Sequence, residues 1–179
     1  MAAPSSPTRW LNGLVLIAFG WLAVLLELAP LNEEAGALPA PDLLFCVCAY
    51  FALRRPTGTP AVLVGLMGLV RDLISGGPVG LGALTLLAGV ETVRSVSETI
   101  RRRGLAAELL MIAIASVGMI ALNVLALVVT FSPIPDIMQL VLRAAGTLGA
   151  YVLIYLFMRF IMRVRDDAWR DRSLSSGAG

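Results

Sequence analysis

The sequence contains no histidine, and all of its basic residues are arginines. Without an imidazole, the chain lacks the usual base, proton shuttle and metal ligand, which excludes most hydrolase mechanisms and most zinc sites. Neither a Ser-His pair nor an HExxH motif can form. We therefore expect no catalytic, cofactor-binding or metal-binding residues, and we predict that the protein is not an enzyme.

Cysteine and charge are also scarce. The two cysteines, Cys46 and Cys48, would point about 200° apart on a helix and so cannot bridge each other. Charged residues make up only 15% of the chain, whereas 58% of it is hydrophobic and the mean hydropathy is +0.86. This composition lies far from that of soluble domains and predicts an all-α integral membrane protein.

Apolar runs in the sequence give six candidate membrane spans. A spanning helix needs about 20 predominantly apolar residues, a length that three of the runs reach and three only approach. The long runs cover residues 11–28, 109–131 and 137–162, and the short ones cover residues 38–53, 60–74 and 79–93. The short helices are expected to be buried among their neighbours, to be little tilted or to lie where the membrane is thin.

The arginines predict the orientation of these spans. They precede the first run and follow the second, fourth and sixth runs, whereas the other connections carry carboxylates or balanced charge. By the positive-inside rule, this alternation predicts six crossings with both termini in the cytoplasm. A re-entrant hairpin over residues 38–74 would instead leave Arg54 and Arg55 at the centre of the bilayer, where charges are costly.

This topology divides the chain into three parts. Residues 1–8 are expected to form a flexible N-terminal tail, residues 9–165 a six-helix membrane domain, and residues 166–179 a flexible cytoplasmic tail. Residues 94–108 are expected to extend the fourth span as a cytoplasmic helix near anionic headgroups. Arg94 would then pair with Glu98, and Glu98 with Arg102, at helical spacing.

A few polar residues lie inside or at the ends of the predicted spans. Our hypothesis is that Asp72 forms an ion pair with Arg143 across the bundle, because an unpaired carboxylate there would be costly. In the alternative, Arg71 and Asp72 simply reach external water at a helix end. Asn123, in the middle of the fifth span, is expected to make a hydrogen bond between helices.

Short motifs keep a distinctive order between residues 41 and 84. They are Pro41-Asp42-Leu43-Leu44, Tyr50, Arg54-Arg55-Pro56, Gly65, Gly68-Leu69, Asp72, Pro78-Val79-Gly80-Leu81 and Ala83-Leu84. In order and spacing they resemble the core of the bacterial rod shape-determining MreD family, whose size and six-span layout the chain shares. Arg71 departs from the pattern, because an apolar residue is usual there, and Val79 replaces a common leucine.

The resemblance implies a non-catalytic scaffold of the cell-elongation (rod) machinery in the bacterial cytoplasmic (inner) membrane. Such a multi-pass protein is needed for rod cell shape and lateral peptidoglycan synthesis. Its implied partners are the membrane helix of MreC, MreB indirectly, RodA and a penicillin-binding transpeptidase, with no cofactor and no nucleic acid. The candidate structural or partner-binding residues are Pro41, Asp42, Tyr50, Gly65, Gly68, Arg71, Asp72, Pro78, Gly80, Arg143 and Gly146.

The same family is similar in fold to the S-components of energy-coupling-factor transporters, which provides an alternative function. The chain would then be a small-solute (vitamin-like) binding subunit, which needs a pocket with convergent polar groups. The predicted external half offers Arg71, Asp72, Ser75, Gln139 and Arg143 for such a pocket. In the scaffold interpretation, the third, fourth and sixth spans are expected to present the partner-binding face, where small residues allow close helix contact.

Overall fold

The structure, a computed structural model, describes residues 6–28, 40–76, 78–131 and 135–160. These residues form seven α-helices and one short 3-10 turn, Pro56–Gly58, and no strand. The helices are α1 (Ser6–Leu28), α2 (Leu43–Arg54), α3 (Ala61–Ser75), α4 (Leu81–Ser95), α5 (Ser97–Arg103), α6 (Leu105–Val129) and α7 (Ile137–Phe160). The prediction of an all-α chain is therefore confirmed.

The ends of the chain differ in part from the expected layout. Helix α1 begins at Ser6, five residues before the predicted start of the first span. Residues 1–5 and 166–179, which belong to the predicted tails, lie outside the described residues. The division into two tails and a membrane domain stays a prediction.

Helix α2 lies at the centre of the fold. Its sequence is apolar on every side, as expected for a helix with no solvent-facing stripe, and every residue from Leu44 to Leu53 is buried. It packs against α1, α4, α5 and α7. With 12 residues it is about 18 Å long, much shorter than a hydrocarbon core of about 30 Å. The second predicted span is therefore buried among its neighbours, as its short length suggested.

Helices α3 and α4 form a closely packed hairpin. Gly76 and Gly80 on either side of its turn have φ angles of 69° and 94°, a left-handed conformation that favours glycine. A Cβ atom added at Gly68 would lie 2.7 Å from the Cα of Ala83 on α4. Gly68 therefore allows the two backbones to approach each other.

Among the described residues, two helices are long and apolar enough to cross a membrane on their own. They are α6, over Leu105–Val129, and most of α7, over Ile137–Arg159, whereas Gly13–Glu27 and Leu43–Arg54 are shorter apolar helices. Large apolar side chains such as Val62, Val129 and Leu153 are exposed on the helix surfaces. Extensive exposed apolar surface is typical of a protein that faces lipid or partner proteins.

The connection after α4 differs from the expected single helix over residues 94–108. Helix α4 ends at Ser95, α5 is a separate helix, and Gly104, with a φ angle of 86°, separates α5 from α6. Because the helix breaks at Val96, the expected pair of Arg94 with Glu98 does not form. The Arg94 guanidinium instead lies 2.6 Å from Glu91 on the same helix and donates to the carbonyl of Thr59.

Candidate functional site

Asp42 begins a group of charged residues at the N-terminal end of α2. As the N-cap residue, it accepts a hydrogen bond at Oδ1 from the backbone N–H of Phe45, at 3.0 Å. This bond satisfies one of the free N–H groups of the first helical turn. The backbone N–H of Asp42 donates to Thr147 Oγ1 at 3.1 Å, which ties the start of α2 to α7.

Arg71 joins this end of α2 to α1 and α3. Its Nη1 donates to Asp42 Oδ1 at 2.9 Å and lies 3.6 Å from Glu27 Oε2. Glu27 Oε1 in turn accepts a hydrogen bond from the backbone N–H of Leu44 at 2.8 Å. The side chains of Arg71 and Glu27 are largely buried. Since an unpaired buried charge is very costly, these contacts are needed to hold both residues in place.

Arg143 completes the group from α7, and we call Glu27, Asp42, Arg71 and Arg143 the α2 N-terminal cluster. The Arg143 guanidinium lies 3.7 Å from Asp42 Oδ2, and 43% of its side chain is exposed. Among the described residues, none of its N–H groups donates a hydrogen bond. Arg143 is thus the loosely held member of the cluster, whereas Arg71 is firmly bound.

Asp72 has a different role from the one expected. Its Oδ2 accepts hydrogen bonds from the backbone N–H groups of Gly80 and Ala83, both at 3.0 Å. The residue is 6% exposed, so it does not reach external water as the alternative hypothesis held. The hypothesis of an Asp72–Arg143 ion pair is also wrong, because Asp72 caps α4. The free N–H groups and positive dipole end of that helix stabilise the carboxylate.

The remaining predicted residues lie at several places in the fold. Pro41 packs near Gly146, at 3.6 Å from the position of an added Cβ atom, and Pro78 accepts a hydrogen bond from the N–H of Leu81 at 3.2 Å. Nothing lies within 4 Å of a Cβ atom added at Gly65. Tyr50 is buried at the other end of α2, so the predicted set does not form a single site.

A second group of polar side chains lies at the C-terminal end of α2. Arg54 Nη2 is 2.6 Å from Glu108 Oε1, and Glu108, at the start of α6, is only 2% exposed. Tyr151 donates to Glu108 Oε2 at 3.3 Å, and the Arg54 guanidinium lies 5.5 Å from the ring centre of Tyr155. We call these four residues the α2 C-terminal cluster.

Sequence reasoning missed the role of Glu108. It was assigned only to the end of a cytoplasmic helix. The signal that would have identified it is a lone carboxylate at the start of an apolar run, where a charge requires a partner. Arg54 contributes to the predicted orientation and to the family motif, but the sequence gives no partner for it. It lies one helix length from Asp42 and so marks the opposite end of α2.

Two cavities meet at the α2 N-terminal cluster. One, of about 1050 Å³ including its open part, is lined by Glu27, Asp72, Ser75 and other polar residues, and we call it the polar cavity. The other, of about 570 Å³, runs between α6 and α7, and we call it the α6–α7 cleft. Both are lined by Asp42, Arg71, Asn123 and Arg143.

Two of the expected polar contacts near these cavities are not formed. Within the described part of the chain, the Asn123 side chain makes no hydrogen bond between helices and instead lines both cavities. Gln139 is exposed and does not line either cavity. Of the five polar residues proposed for a solute pocket, the structure therefore brings together Arg71, Asp72, Ser75 and Arg143.

A family model described as rod shape-determining protein MreD matches residues 7–165, nearly the whole chain. The chain belongs to the MreD family. MreD proteins are membrane proteins with a role in rod shape determination, and the family is not a known enzyme family. No curated protein and no solved structure matches the chain. The similarity to transporter S-components stays a prediction.

Within this MreD chain, Arg71 has a clear structural role. It is the firm partner of Asp42, and the two residues link α3 to the start of the central helix. An apolar residue at position 71 would leave Asp42 with the more distant Arg143 as its remaining cationic partner in the cluster. Arg71 and Asp42 therefore form the shortest ion pair of the α2 N-terminal cluster.

Proposed function

We propose that this MreD protein is a non-catalytic scaffold of the elongation machinery. It crosses the inner membrane six times, with both termini in the cytoplasm. It associates with the membrane helix of MreC, and through it with MreB, RodA and a penicillin-binding transpeptidase. The family assignment over residues 7–165 is the observation that carries the proposal.

The two charged clusters support the six-span arrangement. They lie at opposite ends of α2, about 18 Å apart along the helix axis, and each joins α2 to neighbouring helices. Charged groups at both ends of α2 are expected if one end of this helix faces each surface of the membrane. The arginine-rich α5, with Arg101, Arg102 and Arg103 in its last turn, marks the cytoplasmic side by the positive-inside rule.

The exposed face of α3 suits a partner helix. Val62, Leu66 and Leu73 follow helical spacing along this face and are exposed. Gly65 lies beside them and has open space around it. A small residue on an apolar face allows another helix backbone to come close, which is how membrane helices associate. Gly68 and Gly146 already pack against other helices or segments of the same chain. Gly65 is therefore the predicted contact for a partner helix.

Co-purification with tagged MreC tests this face. Gly65→Leu should reduce recovery of MreC, because a large side chain keeps the partner backbone away. Gly118→Leu is the matched control, since Gly118 is also helical, on α6, and a Cβ atom added there also has no neighbour within 4 Å. Normal recovery of MreC with a folded Gly65→Leu protein would contradict the proposed face. Equal losses for both variants would contradict its location on α3.

The solute-binding function stays as a second candidate because the polar cavity has convergent charged groups. Arg71, Asp72, Ser75 and Arg143 line it, as a small polar solute would require. Thermal shift of the purified protein against water-soluble vitamins tests this alternative. A saturable shift that disappears in Arg143→Gln would favour the transport subunit over the scaffold.

A further inference from the structure

The polar cavity presents free hydrogen-bonding groups of both charges side by side. The Arg143 guanidinium is only 3.7 Å from Asp42 Oδ2, yet no hydrogen bond joins them. Asp42 Oδ1 accepts from Phe45 and Arg71, whereas Oδ2 accepts no hydrogen bond from any described residue. A strong cationic donor and a strong anionic acceptor thus border the same opening, each with capacity left over.

The charges around the opening do not suit a simple anion. Three carboxylates, from Glu27, Asp42 and Asp72, and two arginines line the polar cavity. An anionic ligand would gain from Arg143 but would be repelled by the excess of carboxylates. A zwitterion with a phosphate and an ammonium group a few atoms apart matches both groups, because the phosphate can accept from Arg143 and the ammonium can donate to Asp42 Oδ2.

The α6–α7 cleft continues from this opening as an apolar groove. Met119 and Ile120 of α6 lie between Asn123 and Ser116 along this groove, and Val124 and Leu127 of α6 and Leu140 of α7 line its other end. On the Ser116 side of the opening, Ile114 and Val117 of α6 and Leu153 of α7 are exposed apolar residues. An acyl chain can therefore pass from the opening towards Ser116 and continue onto the apolar surface.

Ser116 adds an independent sign of a missing partner. The residue is 5% exposed and lines the deep part of the α6–α7 cleft, and its Oγ finds no hydrogen-bond partner among the described residues. In a helix, a buried serine usually bonds to a backbone carbonyl one turn before it. A buried hydroxyl without any partner is costly, which indicates that a ligand acceptor completes the site.

We propose that the polar cavity and the α6–α7 cleft together bind a phospholipid whose headgroup carries a primary ammonium group. The phosphate accepts hydrogen bonds from Arg143 and Asn123, and the ammonium donates to Asp42 Oδ2. An ester carbonyl accepts from Ser116, which lies nearer the start of α6 than Asn123 does, and the acyl chains leave the cleft on that side, past Ile120 and Val117. This site is separate from the α3 face proposed for MreC, so the two proposals can fail independently.

Native mass spectrometry of the full chain in detergent tests the headgroup chemistry. We expect phosphatidylethanolamine to be retained in preference to phosphatidylcholine, whose quaternary ammonium has no N–H to donate to Asp42. It should also be retained in preference to phosphatidylglycerol, which has no ammonium group. Equal retention of the first two lipids, or preference for the third, would overturn the proposal.

Variants locate the site. Arg143→Gln should lower phosphatidylethanolamine binding about tenfold, the effect of losing one charge-assisted hydrogen bond. Ser116→Ala should also weaken binding without lowering the melting temperature, because its hydroxyl has no protein partner to lose. The matched control, Arg103→Gln, removes an exposed arginine of α5 and should leave binding unchanged. Wild-type binding by both Arg143→Gln and Ser116→Ala would place the lipid elsewhere and overturn the site.

A soluble headgroup distinguishes a lipid from a small solute. Because the apolar cleft contributes through the acyl chain, free phosphoethanolamine should not displace bound phosphatidylethanolamine at equal concentration. Displacement at equal concentration would show that the headgroup alone supplies the affinity. That result would overturn the lipid proposal and favour the solute-binding alternative.

Discussion

At the scale of single residues, Asp72 shows how one carboxylate can determine a turn. Asp72 lies near the end of α3, and its carboxylate accepts hydrogen bonds from two backbone N–H groups at the start of α4. Removal of a capping side chain typically costs about 1–2 kcal/mol. We therefore expect Asp72→Ala to lower the free energy of unfolding by about this amount, and Asp72→Asn by less, because an amide oxygen still accepts. Thermal unfolding of the purified variants in detergent measures both changes.

Gly82 provides the control for this cap. A Cβ atom added at Gly82 would overlap the Asp72 carboxylate, so Gly82→Ala should destabilise the wild-type protein. In the Asp72→Ala background, the same change should have a much smaller effect, because the colliding oxygen is gone. Strictly additive losses from the two substitutions would contradict the capping role.

The buried pair of Arg54 and Glu108 leads to a second prediction at this scale. Removal of one partner of a buried pair leaves an uncompensated charge and typically costs about 3–5 kcal/mol. Glu108→Leu should therefore unfold the protein at a much lower temperature, since it removes the carboxylate that lies 2.6 Å from the Arg54 guanidinium. The double variant Arg54→Leu with Glu108→Leu should recover part of the loss. A double variant as unstable as the sum of both singles would contradict the direct pairing.

At the scale of elements, two glycines of α3 should respond in opposite ways. A Cβ atom at Gly68 meets the backbone of α4, and overpacking of this kind typically costs about 1–3 kcal/mol. Gly65 has open space, and replacing a helical glycine by alanine typically gains up to about 1 kcal/mol. Gly68→Ala should lower the melting temperature, whereas Gly65→Ala should keep or raise it. A lower melting temperature for Gly65→Ala than for Gly68→Ala would show that α3 packs on α4 through its other face.

Apolar runs located the helices well because periodicity and hydrophobicity are properties of short segments. The predicted spans over residues 60–74, 79–93 and 137–162 correspond to α3, α4 and α7 with shifts of a few residues. Side-chain partners were harder to predict, because they depend on how distant helices come together. Arg71 and Asp42 lie 29 residues apart, so no helical spacing marks their contact. The break at Val96 was not predicted because Arg94, Glu98 and Arg102 recur at helical i, i+4 spacing across it.

At the scale of the whole molecule, the membrane arrangement explains why a 12-residue helix can be the core of the fold. Helix α2 is surrounded by neighbours, so it need not satisfy the length that lipid contact requires. Its two charged ends contact side chains from other helices. Helices α6 and α7 are mostly exposed, and both are long and apolar enough to cross a membrane.

The six-span arrangement predicts opposite labelling at the two ends of the α3–α4 hairpin. Ser75 at the end of α3 and Ser95 at the end of α4 are both exposed, whereas the native Cys46 and Cys48 are buried and should give little background. A membrane-impermeant maleimide should label Ser75→Cys in cells whose outer membrane has been permeabilised while the inner membrane stays closed. It should label Ser95→Cys only after the inner membrane is opened, because the arginines near α5 hold that end in the cytoplasm. The opposite pattern would invert the topology, and labelling of both residues from outside would show that α4 does not cross the membrane.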